Sequence, residues 1–323
     1  MGIILSHTTA RAYHRAPHRP NAVDCFPPRR RRLPTDPHDA VLAQDARVKL
    51  ARYGVPEHLL ETVHVLVSAD GKRRSPLGSR CHVFSREVPS GSLLRLGGGI
   101  VVADVRLTAL QAAEDMGFPE LVEYYTEICG AYELPFEEDD DYRERKALTS
   151  RIELERFFGG MDRCDGLTRA KRAVRYVRDG SRSPLETALL LTLVLPKSEG
   201  GLGLRNIEMD YRIPVSSRVR HLTRRSCFYA DVYLPASRTC IEYQGFFHDE
   251  EERASEDDER DNALRAMGYD VISVRRWSFF RSDGFRRTIA AICKKARISS
   301  SKLPKGFWSH QERLRQFVLR RWL

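Results

Sequence analysis

The stretch Cys227–His248, reading CFYADVYLPASRTCIEYQGFFH, constrains this chain more than any other. Its two runs, Phe228–Leu234 and Thr239–Phe246, are rich in β-branched and aromatic residues and flank a turn-prone Pro235-Ala236-Ser237-Arg238. That is the pattern of a hairpin. Closing the pair with Leu234 opposite Thr239 sets Asp231 opposite Glu242 and Gln244 opposite Tyr229. Because side chains alternate along a strand, Asp231, Glu242 and Gln244 then share one face, and Val232, Ile241 and Tyr243 take the other. Two carboxylates facing each other across a strand pair repel unless a cation sits between them. A hard divalent ion meets that need, since Mg²⁺ takes one or two carboxylates and completes its shell with water and phosphate oxygen. The hairpin reads as half of a metal site. The plain alternatives are a strand-end carboxylate in water, or a register slipped by one residue that separates the pair.

With 323 residues, 41% of them hydrophobic, the chain is long enough for two domains with full cores. Seven scattered cysteines with no CxxC pair argue against a disulfide framework or a zinc site, and for a reducing, cytoplasmic setting. The apolar run Leu185–Leu195 is too short to span a membrane, and Ile3-Ile4-Leu5 is too short for a secretory signal. Charge is uneven: residues 1–35 carry +6 and residues 294–323 carry +8, which leaves −4 on the middle of a chain whose net charge is +10. Basic ends suit a polyanionic partner, because phosphate contacts release counterions.

The chain falls into four segments. Residues 1–35, rich in His, Pro and Arg without apolar periodicity, are expected to be a disordered basic leader. Residues 36–180 read as an α+β domain. It opens with a helix over Ala40–Tyr53 that buries Val41, Leu42, Val48 and Leu50, and strands follow between 60 and 105. Gly97-Gly98-Gly99 lacks the GxxxxGK[ST] frame of a phosphate loop and reads as a hairpin turn. A helix capped by Thr108 comes next, broken at Gly117-Phe118-Pro119. Residues 181–296 open with Ser183 as N-cap, Pro184 at N1 and Glu186 at N3, a capping box ahead of a helix apolar on all sides. The element order there is α, β, β, β, α, β, α. Residues 297–323 form a basic, aromatic tail that either docks on the body or touches nucleic acid.

A helix bearing Glu, a strand bearing Asp, a strand bearing Glu-x-Gln, a helix and a strand together resemble the PD-(D/E)XK nuclease superfamily. More closely, residues 183–280 are similar to the small endonuclease domain of very-short-patch-repair-like enzymes. The matching residues are Ser183–Glu186, Asp231, Glu242-Tyr243-Gln244-Gly245, His248 and Arg260-Asp261-Asn262-Ala263-Leu264. Residues 80–180 resemble the region ahead of such domains in abortive-infection antitoxin-like regulators, without the winged-helix module typical of those proteins. The resemblance implies an α/β, restriction-endonuclease-like mixed sheet flanked by helices, behind an N-terminal α+β regulatory domain.

It also implies chemistry. Asp231 and Glu242, with the Tyr243 carbonyl, would hold Mg²⁺ or Mn²⁺, and Glu186 would orient water or serve as an outer ligand. Gln244 stands where many relatives have Lys, and it can orient water but brings no charge. His248 would protonate the leaving oxygen or contact phosphate; its alternative is a structural hydrogen bond. Arg260 would reach the nucleic-acid backbone or pair with Asp257. Arg275 and Arg276 would bind nucleic acid beside Trp277, Phe279 and Phe280, aromatics that either stack on bases or close a core. The first reading is therefore a metal-dependent DNA endonuclease of defence or repair, with RNA as an alternative substrate and a homodimer as an open assembly. The second is a DNA-binding, antitoxin-like regulator whose nuclease fold has lost its chemistry.

Overall fold

The computed structural model describes residues 2–20, 24–33, 40–68, 78–137, 142–244, 251–299, 301 and 303–323, without the side chains of 251–257. The chain divides into two compact units, Met1–Ile128 with Glu133–Arg175, and Cys129–Tyr132 with Tyr176–Leu323. Both are mixed α/β. No helix among the described residues is long and apolar enough to cross a membrane.

The first unit is built on a six-stranded sheet of β1 (Ile3–Leu5), β2 (Cys25–Phe26), β3 (Val63–Val67), β4 (Ser79–Val83), β5 (Leu93–Gly97) and β6 (Ile100–Ala103), in the order β2-β5-β6-β1-β3-β4. β1 lies inside this sheet, parallel to β6 through Ile3↔Ile100 to Leu5↔Val102 and antiparallel to β3 at Leu5↔Val65. The leader expected to be disordered thus begins with a core strand, whose three side chains are at most 4% exposed.

Helix α1 (His7–Arg15) follows and buries Thr9, Ala10, Ala12, Tyr13 and His14. Apart from Tyr13 its inward face is made of small and polar residues, so it shows no apolar period to read. What holds it is specific pairing: His14 Nε2–H donates to the Ala103 carbonyl at 2.9 Å, and Arg15 forks onto the buried Glu127 carboxylate. Such a forked pair is geometrically demanding, which fixes the helix rotation.

Helix α2 (Ala40–Arg52) forms where expected, but it buries Ala43, Ala46 and Leu50 and leaves Val41 and Val48 exposed. The glycine triplet closes the β5–β6 hairpin, and all three residues have positive φ, which glycine adopts without a Cβ clash. Helices α3 (Val105–Asp115) and α4 (Phe118–Ile128) are separated at the expected break. The cap of α3 is Asp104 rather than Thr108; its carboxylate accepts the Leu107 N–H at 2.9 Å. The next helix, α5 (Arg151–Gly159), starts after Ser150, whose hydroxyl and Glu153 form a capping box on it. α6 (Leu167–Ala173) completes this unit.

Three imidazoles meet between α1, β3 and β4. His64 Nδ1 lies 2.9 Å from His82 Nε2, and the His7 ring stacks on His82 with centroids 3.5 Å apart. One of the two bonded nitrogens must donate and the other accept, so the accepting ring is neutral. Burial, then the charge of His7, pushes His64 down to about 4; burial, His7 and His64 push His82 to about 3. Arg80 on β4 adds to the depression of both, and Arg11 on α1 adds to that of His64, while Asp115 on α3 opposes it. Buried His14 is pushed to about 4 as well. All three values lie below the ordinary 6.5. As pH falls, the unfolded chain therefore takes up protons first, and the stability these groups contribute is full above 6.5 and drains away between 6.5 and about 3. Urea titrations followed by amide exchange in β1 and β3 are expected to show a falling midpoint over that window. The fall is expected to be shallower in His82→Phe.

The second unit carries a four-stranded sheet of β7 (Glu208–Pro214), β8 (Cys227–Leu234), β9 (Thr239–Gln244) and β10 (Asp270–Arg275), in that spatial order. The first two pairings are antiparallel and β9–β10 is parallel. Helices α7 (Pro184–Val194), α8 (Glu251–Ala266), α9 (Arg276–Phe280) and α10 (Ser282–Lys295) complete the expected order of elements. A hydrophobic cluster joins Phe228, Ala230, Tyr233 and Cys240 of the sheet to Ala263 and Leu264 of α8. The C-terminal segment belongs to this unit: α11 (Phe307–Val318) packs on α7 through a face that buries Phe307, Leu314 and Val318. Its basic and aromatic residues hid a helix with one apolar stripe.

Candidate functional site

β8 and β9 pair as Leu234↔Thr239, Tyr233↔Cys240 and Val232↔Ile241. This is the register that the spacing predicts, and Asp231 and Glu242 are the next pair in it. There the backbone ladder stops. The Asp231 Oδ2 accepts the Tyr243 N–H at 2.8 Å, standing in for a strand carbonyl. Beyond that point β9 pairs only with β10, so Gln244 is matched to Arg275 instead of facing Tyr229.

Glu242 is 6% exposed and is bonded by Arg260 of α8, whose Nη2 donates to Glu242 Oε1 at 2.6 Å and to the Tyr229 carbonyl at 2.7 Å. Burial and then the Asp231 charge push Glu242 up to about 7, against the pull of Arg260. Burial raises Asp231 as well; the Tyr243 N–H and Arg260 oppose it, and Asp210 adds to it. Burial lowers Arg260, but Glu242 outweighs it and holds the guanidinium above its ordinary value. Glu242 is thus buried and Asp231 half-buried; Asp231 acts on Glu242, Arg260 opposes the rise of both, and Arg182 opposes that of Asp231.

Glu186 joins them from the start of α7. Its backbone N–H donates to the Ser183 hydroxyl at 3.2 Å, Ser183 Oγ donates to Glu186 Oε1, and the Arg182 N–H donates to Oε2 at 2.8 Å. The expected box is therefore shifted: the carboxylate takes the N–H one residue before the cap, and both of its oxygens are engaged. Burial, then Asp231, pushes Glu186 up to about 7.

Sequence reasoning missed Asp210. β7 pairs with β8 as Met209↔Val232 and Tyr211↔Ala230, which places Asp210 across from Asp231, with a left-handed φ of 47°. Its carboxylate lies 3.7 Å from Arg182. The signal was arithmetic, but twelve residues separate β7 from β8, and a loop of that length leaves the register open.

Other expected residues take different places. Arg275 is exposed and caps α9, and the Arg276 guanidinium lies over the Phe280 ring, 4.6 Å from its centroid. Phe279 is fully buried against Tyr243 and Phe285, which settles it as core, whereas Trp277 is 54% exposed. The buried Tyr243 hydroxyl has no hydrogen-bond partner among the described residues, and burial pushes it up to about 12. His248 and the Asp257 side chain lie outside the described residues.

The donors suit a hard cation. Among the described residues no three His, Cys, Asp or Glu side chains form a metal-holding group, so a site here needs two carboxylates and further oxygens. That is the habit of Mg²⁺, not of zinc. Asp231 and Glu242 meet that requirement in kind, since the charge of Asp231 raises Glu242 and is opposed only in part by Arg260 and Arg182. No family model, no characterised protein and no solved structure matches this chain.

Proposed function

We propose that the second unit is a restriction-endonuclease-like phosphodiesterase, a Mg²⁺- or Mn²⁺-dependent DNA endonuclease whose site is Asp231 and Glu242. One observation carries the reading. The two carboxylates stand adjacent at the point where the β8–β9 ladder stops, Glu242 buried and Asp231 half-buried; burial raises both, Asp231 adds to the rise of Glu242 and Asp210 to that of Asp231. A purely structural use would not need two like charges at that point, because like charges in register destabilise a strand pair.

In this reading Asp231 and Glu242, helped by the Tyr243 carbonyl, hold the ion, which supplies a Lewis acid for the phosphate and lowers the pKa of a water. The Tyr243 N–H fixes the rotamer of Asp231. Arg260 aims Glu242 and favours its charged form against burial. Glu186, raised to about 7, is set to exchange a proton with water near neutral pH, with its cap bonds holding it in position. Gln244, half-buried at the end of β9, orients water through its amide. The basic ends of the chain supply attraction for a polyanion.

A second reading keeps the fold and the nucleic-acid binding without the chemistry. Two observations favour it: both oxygens of Glu186 are engaged in the cap, and Glu242 is already neutralised by Arg260. One assay separates the two. Purified protein is incubated with supercoiled and single-stranded DNA, with Mg²⁺ or Mn²⁺ against EDTA. Nicking that requires the metal is the expected result. Binding that ignores the metal, with no nicking under any condition, would replace the enzyme with the regulator.

A further inference from the structure

We infer that Arg260 is a two-sided clamp, one nitrogen holding Glu242 while the rest of its guanidinium takes a non-bridging oxygen of a nucleic-acid phosphodiester. The inference rests on the phosphodiesterase reading and names what meets the substrate anion.

Both hydrogens of Nη2 are committed, one to Glu242 Oε1 and one to the Tyr229 carbonyl. A guanidinium has five N–H donors, so Nε–H and the two on Nη1 remain. Among the described residues nothing bonds them. The side chain is 21% exposed, so part of it is open to an incoming group while the Glu242 side is covered.

Charge says why this matters. Asp231 acts on Glu186 and on Glu242, and Asp210 acts on Asp231, so negative charge gathers around Asp231. Arg182 pairs with Asp210 and acts on Asp231 from a distance, whereas Arg260 is bonded to Glu242 itself. A phosphodiester that comes close enough to react is repelled by the carboxylates unless a cation is anchored among them. Arg260 is anchored at two points, so little side-chain freedom is lost when it receives the phosphate. Its planar head also lies near the Phe228 ring, with 6.0 Å to the centroid.

The test needs no catalysis. Full-length protein is titrated with a fluorescein-labelled oligonucleotide in EDTA, across a salt series, for wild type, Arg260→Gln, Arg260→Lys and the double variant Arg260→Gln/Glu242→Gln. The double variant leaves neither charge unpaired, so it reports on the phosphate contact even where Arg260→Gln alone disturbs the fold. Arg260→Gln and the double variant are expected to bind roughly tenfold more weakly, with a salt slope shallower by about one unit. Arg260→Lys keeps the slope and loses part of the affinity. A folded double variant with wild-type affinity and slope overturns the clamp and leaves Arg260 as a partner of Glu242 alone. A wild-type protein that binds no oligonucleotide at any salt overturns the nuclease reading and the clamp together.

Discussion

Glu242→Gln is expected to abolish metal-dependent nicking, on the order of 10²–10³-fold or more, while the second unit stays folded. That is the scale on which a single preorganised electrostatic partner acts at a reacting centre. The choice of Gln over Ala is physical. Alanine would strip the partner from Arg260 inside the structure, and breaking a buried pair costs about 3–5 kcal/mol, a figure reduced here by the part of Arg260 that meets solvent. Glutamine keeps the volume and a carbonyl acceptor for Arg260 Nη2, and removes only the charge.

Asp231→Asn is the matched variant, since an amide oxygen can still accept the Tyr243 N–H that Asp231 holds at 2.8 Å. Removing one of two repelling charges relieves strain, so both variants should melt within a few degrees of wild type or above it. Gel nicking assays beside circular dichroism melts measure both quantities. If both variants lose their cooperative melt, the pair is structural. If both still cut, the reacting centre lies elsewhere.

Leu5→Asp, or removal of residues 1–15, is expected to unfold the first unit. Leu5 is fully buried on a strand that pairs on both sides. Large-to-small changes at such positions alone cost about 2–5 kcal/mol. A buried carboxylate without a partner adds several more, enough to exhaust the ~5–15 kcal/mol that a whole domain has. Truncation goes further. It leaves β3 and β6 with unpaired edges where β1 lay between them, and it leaves buried Glu127 without Arg15. Limited proteolysis is expected to degrade residues 24–128 rapidly in either variant while spared fragments map to the second unit. Wild-type resistance after removal of residues 1–15 would mean that the unit stands without its inner strand.

These two outcomes bear on different kinds of legibility. In the second unit, local sequence carried the hairpin. Strong β-formers, a short turn and a constant sum of paired residue numbers specify the register, and with it the neighbouring carboxylates. The order of elements was readable for the same reason, as was the cap of α7, because each signal lies within a few residues of what it specifies.

Three things were not readable. Ile3-Ile4-Leu5 is a strand only because β3 and β6 supply its hydrogen bonds, and three residues carry no period of their own. α1 buries two alanines, a threonine, a tyrosine and two histidines, and its place inside depends on bonds from His14 to Ala103 and from Arg15 to Glu127, roughly a hundred residues away. Asp210 and Arg260 reach the carboxylates from β7 and α8, across loops whose length leaves register and rotation open. The sequence alone determined what pairs with near neighbours: the β8–β9 hairpin, the carboxylate pair, the glycine turn and the run of elements in the second unit. Tertiary structure alone decided which strand lies inside the first sheet, which face of α2 is buried and which cation meets Glu242. Those outcomes depend on hydrogen-bond and charge partners that chain connectivity leaves free and only packing brings within reach.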